Sequence, residues 1–237
     1  MAERPIFIPV LDGDTLVRTT YVSFQWSPGM SASQRQKSSD SLQEAALCLP
    51  GISRVLEVSS KSRVELGVAL SAFNLTFRTV KRNQVFCVEC AYQGSKVFEF
   101  GGPYRDLFFM TAREAKRDSR LTTSGRLTGF QFFGADWKLE PRTAFYDWLY
   151  LNALAKHPEL NESLTSYTAF TDIEFNPERS VNCQAYSVAL YVSLRQRGLL
   201  DEALASQDAF LTHVQHRSVS NARSELVAHQ GQLLENS

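Results

Sequence analysis

Glu89, Tyr92, Gln93 and Lys96 have the side chains and the spacing to do chemistry together, because a helix would place all four on one face. They lie in VFCVECAYQGSKVF (Val85–Phe98), whose other residues are largely apolar, so we predict a mostly buried helix. A buried carboxylate and a buried amine are costly unless each finds a partner. The stretch is therefore a candidate active site, and a structural ion pair between Glu89 and Lys96 is the alternative.

The same stretch contains Cys87-Val-Glu-Cys90, which is half of a zinc site, a redox pair or two small buried residues. A zinc site needs a second ligand pair, and His213 and His216 lie in a polar part of the chain. The surrounding pattern also differs from a thioredoxin-like βαβ unit. We favour two buried residues and expect no metal.

The whole chain has the composition of an ordinary globular protein of 237 residues, long enough for one compact domain. Its 25 basic and 25 acidic residues cancel, which argues against holding nucleic acid by bulk electrostatics but allows local contact. We find no run of eighteen apolar residues and no signal-peptide pattern, and so expect a cytoplasmic protein that contacts no membrane.

The N-terminal part mixes strands and one helix. A turn at Asp12-Gly13-Asp14 predicts a hairpin, and Ser31 with Gln34 predicts a capping box that opens a helix. The predicted strands are Ile6–Val10, Leu16–Trp26 and Arg54–Ser59.

The rest of the chain is mainly helical. Thr111 and Glu114 form a second capping box. The further predicted helices are Pro141–Lys156, Pro158–Leu164, Asn182–Arg197 and Asp201–Val214, and the further extended segments are Phe130–Phe133 and Thr171–Phe175. The predicted fold class is α+β, mainly α, with one domain over residues 63–214, an N-terminal extension over 1–62 packed on it, and a polar, disordered tail over 215–237.

Ser59-Ser-Lys-Ser62 follows a predicted strand and precedes a short apolar run. Free backbone donors and a lysine at a helix start can bind a phosphate. The segment lacks the glycines of a P-loop, so a plain helix cap is the favoured alternative.

Taken in order, several short motifs resemble the NADAR superfamily, the YbiA-like N-glycosidases, over roughly Leu66–Arg197. The motifs are LSAFNL (Leu70–Leu75), VECAYQGSKVF (Val88–Phe98), REAKR (Arg113–Arg117), Asp136-Trp137, HPELNESL (His157–Leu164) and Asp172-Ile-Glu174. Within the superfamily, the chain looks closest to NADAR antitoxins associated with DarT-type DNA ADP-ribosyltransferases, and the matching segments are FQWSPGMSASQRQKSSDSLQEA, LEVSSKS, LSAFNL and TDIEFNPERSVNCQAYS.

The resemblance implies an enzyme that removes ADP-ribose from guanine bases in DNA and so reverses a toxin's modification. It implies a possible DarT-type toxin as partner and no cofactor. It also implies that Lys96 is a nucleophile that forms a Schiff base with the ribose, and that Glu89 is a general acid/base or a ribose anchor. Glu174, with Asp172, is the candidate second catalytic carboxylate.

The chain departs from the family pattern at two places. Cys90 replaces the histidine that usually follows the glutamate, and Pro177–Gln184 replaces an acidic loop. The second departure leaves Asp172, Glu174 and Glu178 in competition for one acidic position.

The expected substrate-binding residues surround this pair in the sequence. Trp137 is a candidate for stacking on a base, with a core position as the alternative, and Asn74 either lines the ribose or holds a turn. Lys116, with Arg117 and Arg120, either meets phosphates or forms a solvated face. The full set is Phe73, Asn74, Tyr92, Gln93, Lys116, Trp137 and Asp172.

The sequence is also compatible with two other functions. One is a NADAR N-glycosidase for a small nucleotide or a riboflavin-pathway N-glycoside. The other is a non-catalytic module that binds ADP-ribose or the toxin.

Overall fold

The computed structural model describes residues 1–29, 31–79 and 83–215, and shows the predicted α+β fold as one domain. The strands are β1 (Ala2–Pro9), β2 (Val17–Phe24), β3 (Val55–Glu57), β4 (Thr76–Arg78), β5 (Val85–Cys87), β6 (Lys96–Phe98), β7 (Leu127–Phe132), β8 (Ala135–Trp137) and β9 (Ala169–Thr171). The helices are α1 (Ala32–Leu47), α2 (Glu65–Ala69), α3 (Val88–Gly94), α4 (Ala112–Arg117), α5 (Arg120–Thr123), α6 (Ala144–Leu154), α7 (Pro158–Leu164), α8 (Gln184–Gln196), α9 (Leu200–Leu204) and α10 (Gln207–Gln215), and a 3₁₀ helix spans Arg105–Phe109. Within the described ranges, every helix is too short or too polar to cross a membrane.

The N-terminal strands form a sheet with a distant part of the chain. β1 and β2 make the predicted antiparallel hairpin, with Ile6 opposite Thr20. β9 inserts between β1 and β3, so the strand order is β2-β1-β9-β3 and β3 runs parallel to β9. The first 62 residues therefore share a sheet with residues 169–171, while the boundary at residue 62 stays a prediction.

Both predicted capping boxes are confirmed. The Ser31 side chain accepts from the Gln34 backbone N–H at the start of α1, and Thr111 does the same with Glu114 at the start of α4. Each cap satisfies a backbone donor that the first turn of a helix leaves unpaired.

The predicted single helix over Val85–Phe98 is wrong, because only its middle part is helical. Val85 to Cys87 pair with β4 as a strand, and the chain then turns into α3. The helix ends where the Ser95 hydroxyl donates to the Ala91 carbonyl at 2.7 Å, and Lys96 begins β6 opposite Phe130 of β7. The β-branched and aromatic residues at both ends of the segment gain more from sheet pairing than from a longer helix.

The largest apolar core forms around α6 and α8, which pack against each other and against α3 and β1. Tyr150 of α6 is fully buried and its hydroxyl donates to the Leu70 carbonyl. This contact fixes the start of the LSAFNL loop above the core. α6 and α8 correspond to the predicted helices Pro141–Lys156 and Asn182–Arg197, shortened at their ends.

Two C-terminal predictions need correction. The predicted helix Asp201–Val214 is two helices, because the Ser206 hydroxyl accepts from the Ala209 backbone N–H and starts α10 anew. The predicted extended segment Thr171–Phe175 is extended only at Thr171, where β9 ends. The predicted disordered tail, apart from Gln215, lies outside the described residues.

Candidate active site

A cavity of about 730 Å³ opens between α3, α4, the LSAFNL loop and the segment that follows β9. All the predicted site residues except Trp137 line it. These are Phe73, Asn74, Glu89, Tyr92, Gln93, Lys96, Lys116, Asp172 and Glu174. Residues from four separate parts of the chain thus meet at one place.

Glu89 lies in the first turn of α3 and is 6 % exposed. Its Oε1 accepts from Gln93 Nε2 at 2.9 Å and lies 3.6 Å from Lys116 Nζ. The Glu89 backbone N–H donates to the Ala72 carbonyl at 2.9 Å, which ties α3 to the LSAFNL loop. The carboxylate is therefore held by one amide and one cation.

Lys96 reaches the same cavity from the first residue of β6, not from the helix. Its Nζ lies 4.8 Å from the centre of the Tyr92 ring. Burial lowers the pKa of Lys96 from 10.5 to about 8; the charge of Glu89 raises it and that of Lys116 lowers it. The neutral fraction of this amine near pH 7 is therefore much larger than that of an ordinary lysine, although the charged form still dominates there, and the neutral form is the one that acts as a nucleophile.

The LSAFNL loop carries Phe73 and Asn74 to the edge of the cavity. Asn74 Nδ2 donates to the Val68 carbonyl at 2.8 Å, so this side chain does hold a turn. Phe73 is 39 % exposed, and Lys116 Nζ lies 5.4 Å from its ring centre. The loop is fixed from below, because Gln184 Oε1 accepts from the Ala72 backbone N–H at 2.8 Å.

The acidic segment after β9 places two carboxylates differently. Asp172 is 7 % exposed, its Oδ1 accepts from the backbone N–H groups of Glu174 and Phe175, and burial raises its pKa well above the usual range. Glu174 has a side chain that is 41 % exposed and pairs with Arg35 Nε at 3.3 Å. Glu178, the third competitor, does not line the cavity.

Trp137 does not reach the cavity, so the expected stacking role is not supported. It is 3 % exposed and packs on Phe145 and Trp148, with ring centres 5.5 and 5.0 Å away. β8 pairs with β7 and turns this side chain into the core. The Asp-Trp pattern alone could not show which face of the strand is buried.

Trp137→Phe is expected to lower the free energy of unfolding by about 1 to 3 kcal/mol while leaving turnover within about twofold of wild type, because only core contacts are lost. Thermal unfolding and steady-state kinetics of the variant check this. A selective loss of turnover with unchanged stability would return Trp137 to the site.

Several residues that line the cavity were not predicted from the sequence as site residues, or were assigned a different role. Ser59, Ser60 and Lys61 line the cavity, as the phosphate interpretation of this segment requires, although the Ser62 hydroxyl also accepts from the Val64 backbone N–H next to α2. Arg179, Asn182 and Gln184 lie in the TDIEFNPERSVNCQAYS segment that resembles the antitoxins, but no role was predicted for them, and Tyr146 lies in a helix whose spacing shows only an apolar face.

The basic cluster of α4 and α5 divides between the cavity and the surface. Lys116 lines the cavity, whereas Arg120 pairs with Asp106 and Asp118. Arg117 is exposed and lies in a separate shallow depression. Only Lys116 of the three predicted cations is placed to meet a ligand in the cavity.

A family model for DarT1-associated NADAR antitoxins matches residues 2–224. The chain belongs to this family. The match covers the N-terminal part as well as the motifs from Leu70 onward, so residues 2–62 belong to the NADAR antitoxin pattern too. A comparison with curated proteins found no match.

The two cysteines of the Cys87–Cys90 motif contact each other. Cys87 and Cys90 are free thiols with their Sγ atoms 3.2 Å apart, and Cys90 Sγ also donates to the Met110 carbonyl. Within the described part of the chain, no group of three or more His, Cys, Asp or Glu residues could hold a metal ion. The Cys90 thiol thus contacts Cys87 and Met110 and forms no hydrogen bond to the Glu89 carboxylate among those the described residues make.

Proposed function

We propose that the protein removes ADP-ribose from guanine bases of DNA, and so acts as the antitoxin of a DarT1-type ADP-ribosyltransferase. The observation that carries the proposal is the half-buried Lys96 amine, whose pKa is lowered to about 8, in the same cavity as the buried Glu89 carboxylate. The family match supports the toxin as partner.

The chemistry begins with the ribose that is attached to the guanine exocyclic nitrogen. A proton delivered to the ring oxygen opens the sugar to a guanine imine at C1. The neutral Lys96 amine adds to C1, the guanine amine leaves with a proton, and a lysine Schiff base remains. Water adds to this imine, releases the lysine amine, and the freed ADP-ribose closes its ring.

Two carboxylates are needed for these proton transfers. Glu89 can accept the proton that Lys96 loses on addition, because it lies in the same cavity and its charge acts on Lys96. Asp172 is the better proton donor of the acidic segment, because burial keeps its proton, whereas Glu174 is tied to Arg35 at the mouth of the cavity.

The negatively charged phosphates of ADP-ribose can bind to cationic side chains that line the cavity. Lys61, Arg113 and Arg179 line the cavity and have no ion-pair partner among the described residues. Together with Lys116 they favour a ligand that carries several negative charges.

Arg179→Ala is expected to raise KM about 5- to 20-fold with little change in kcat, because a charged contact to a non-reacting group is lost. Arg126→Ala, which removes an exposed arginine paired with Glu99 outside the cavity, is the matched control. An Arg179→Ala enzyme with wild-type KM would remove this residue from the phosphate contacts.

The direct test is incubation of the purified protein with DNA that carries ADP-ribosylated guanine, followed by detection of released ADP-ribose. Release of ADP-ribose and recovery of unmodified guanine support the proposal. Binding without release would favour a non-catalytic module, and release from a nucleotide but not from DNA would favour a small-molecule N-glycosidase.

A further inference from the structure

Besides Glu89 and Asp172, a further buried carboxylate lies close to the cavity, and the proposed chemistry does not use it. Glu57 is the last residue of β3 and is 1 % exposed. It does not line the cavity, but Ser59, two residues later, does. A buried acid in this position needs an explanation, because its burial costs free energy unless its oxygens are well bonded.

Glu57 accepts hydrogen bonds from the two residues that flank Asp172 in the chain. Its Oε1 accepts from the Ile173 backbone N–H at 2.8 Å, and its Oε2 accepts from the Thr171 hydroxyl at 2.7 Å. These are the residues directly after and directly before Asp172. Backbone pairing holds the same segment in place. Glu57 lies opposite Thr171 in the sheet, and the Val58 backbone N–H donates to the Thr171 carbonyl at 2.7 Å.

The hydroxyls of Ser39 on α1 and Ser59 at the cavity also favour the charged form of Glu57, although burial is the larger effect and raises its pKa. Its carboxylate thus joins β3 to the acidic segment after β9. Burial raises the pKa of both carboxyls, but the Ile173 backbone N–H and the Thr171 hydroxyl favour charged Glu57, whereas the pKa of Asp172 lies well above its usual range.

We propose that Glu57 is a positioning residue, which clamps the chain on both sides of Asp172 and keeps the proton of the pair on Asp172. The proposal rests on the proposed function, in which Asp172 donates that proton to the substrate. Because Oδ1 of Asp172 already accepts two backbone bonds, the proton belongs on Oδ2.

The groups around Asp172 agree with this assignment. Burial is the main cause of the raised pKa of Asp172. The negative charges of Glu57 on β3 and of Glu174, two residues after Asp172, raise it further. Cys183 Sγ lies 3.9 Å from Oδ2, and burial is the main cause, with the charge of Asp172 a lesser one, of the raised pKa values of Tyr146 and Tyr150 of α6. Arg35 is the nearby cation, and it pairs with Glu174.

The test is Glu57→Gln, which keeps the size of the side chain, an acceptor for Ile173 and a partner for Thr171, but removes the charge. Carbon-13 NMR of protein labelled at the aspartate carboxyls, with Asp172→Asn for assignment, should show Asp172 titrating at lower pH in the variant. The basic limb of the kcat profile should move to lower pH too, and kcat should fall about 10-fold or more with KM nearly unchanged. Glu44→Gln, an exposed acid on α1, is the matched control.

An unchanged Asp172 titration in Glu57→Gln would overturn the inference, whatever the activity. A loss of kcat and stability without any shift of the basic limb would show a structural role only, and would also overturn it. If Glu57→Gln does not fold, Thr171→Val serves instead, because it removes the hydrogen bond from the Thr171 hydroxyl to Glu57. This variant should lower kcat several-fold at constant KM. Wild-type kinetics of Thr171→Val would count against the positioning role of Glu57. A shifted titration in a protein whose wild type releases no ADP-ribose would instead defeat the proposed function.

Discussion

Lys96→Met is expected to abolish turnover and, at the same time, to raise the free energy of unfolding at pH 7. In the proposed mechanism this substitution removes the nucleophile, so no Schiff base can form. The stability gain arises because burial lowers the pKa of Lys96 from 10.5 to about 8, which means that the fold carries a cost for the charged amine. That shift, discounted for the partial exposure of the side chain, corresponds to about 1 to 3 kcal/mol.

The sign of this effect can be checked against pH. Below about pH 8 the amine is charged in both states and the full cost is present; between about 8 and 10.5 only the unfolded chain holds the proton, so wild-type stability rises with pH. Chemical denaturation across this window should show that rise in wild type but not in Lys96→Met. Lys156→Met, which replaces an exposed lysine two residues after the end of α6, should change neither activity nor the pH dependence of stability. Lys96→Met that is less stable and still active would contradict the account.

Glu89→Gln is expected to reduce turnover by about 10²- to 10⁴-fold, as for loss of a general acid/base. The amide also removes the charge that favours protonated Lys96, so the pKa of Lys96 should fall further. The acid limb of the residual kcat profile should therefore move to lower pH than in wild type. Lys116 also loses its carboxylate partner, which should weaken substrate binding only modestly because its side chain is 58 % exposed.

Steady-state kinetics across about pH 5 to 10, a range that brackets the pKa of Lys96 near 8, measure this prediction. Glu65→Gln on α2 serves as the control, since it removes an exposed carboxylate outside the cavity. Wild-type turnover in Glu89→Gln, or an acid limb displaced to higher pH, would show that Glu89 has no role in the proton transfers.

The composition of the site was largely predictable from the sequence, because short motifs in a fixed order point to one cavity even when the local structure between them is misread. The single helix predicted over Val85–Phe98 is an example. Glu89 and Lys96 do meet in the cavity, but through a helix that ends at Gly94 and a strand that begins at Lys96. Helical periodicity could not show this, since the strand at Lys96 depends on pairing with a strand about thirty residues later.

Other features depend on tertiary contacts that leave no local signal. Trp137 has the residue type of a stacking platform, but pairing of β8 turns it into the core. Glu57 is the reverse case, a carboxylate in an apolar strand whose importance comes from Thr171 and Ile173, more than a hundred residues away. Arg35 likewise meets Glu174 only because α1 packs beside β9.

The central claim is that Lys96 forms a covalent bond to the ribose, and chemical trapping tests it most directly. The protein is mixed with DNA that carries ADP-ribosylated guanine, the reaction is treated with sodium borohydride, and the chain is digested for mass spectrometry. The account predicts an ADP-ribose adduct on Lys96 through a reduced carbon–nitrogen bond, absent from Lys96→Met and from samples without borohydride. Normal release of ADP-ribose with no adduct on Lys96 would contradict it.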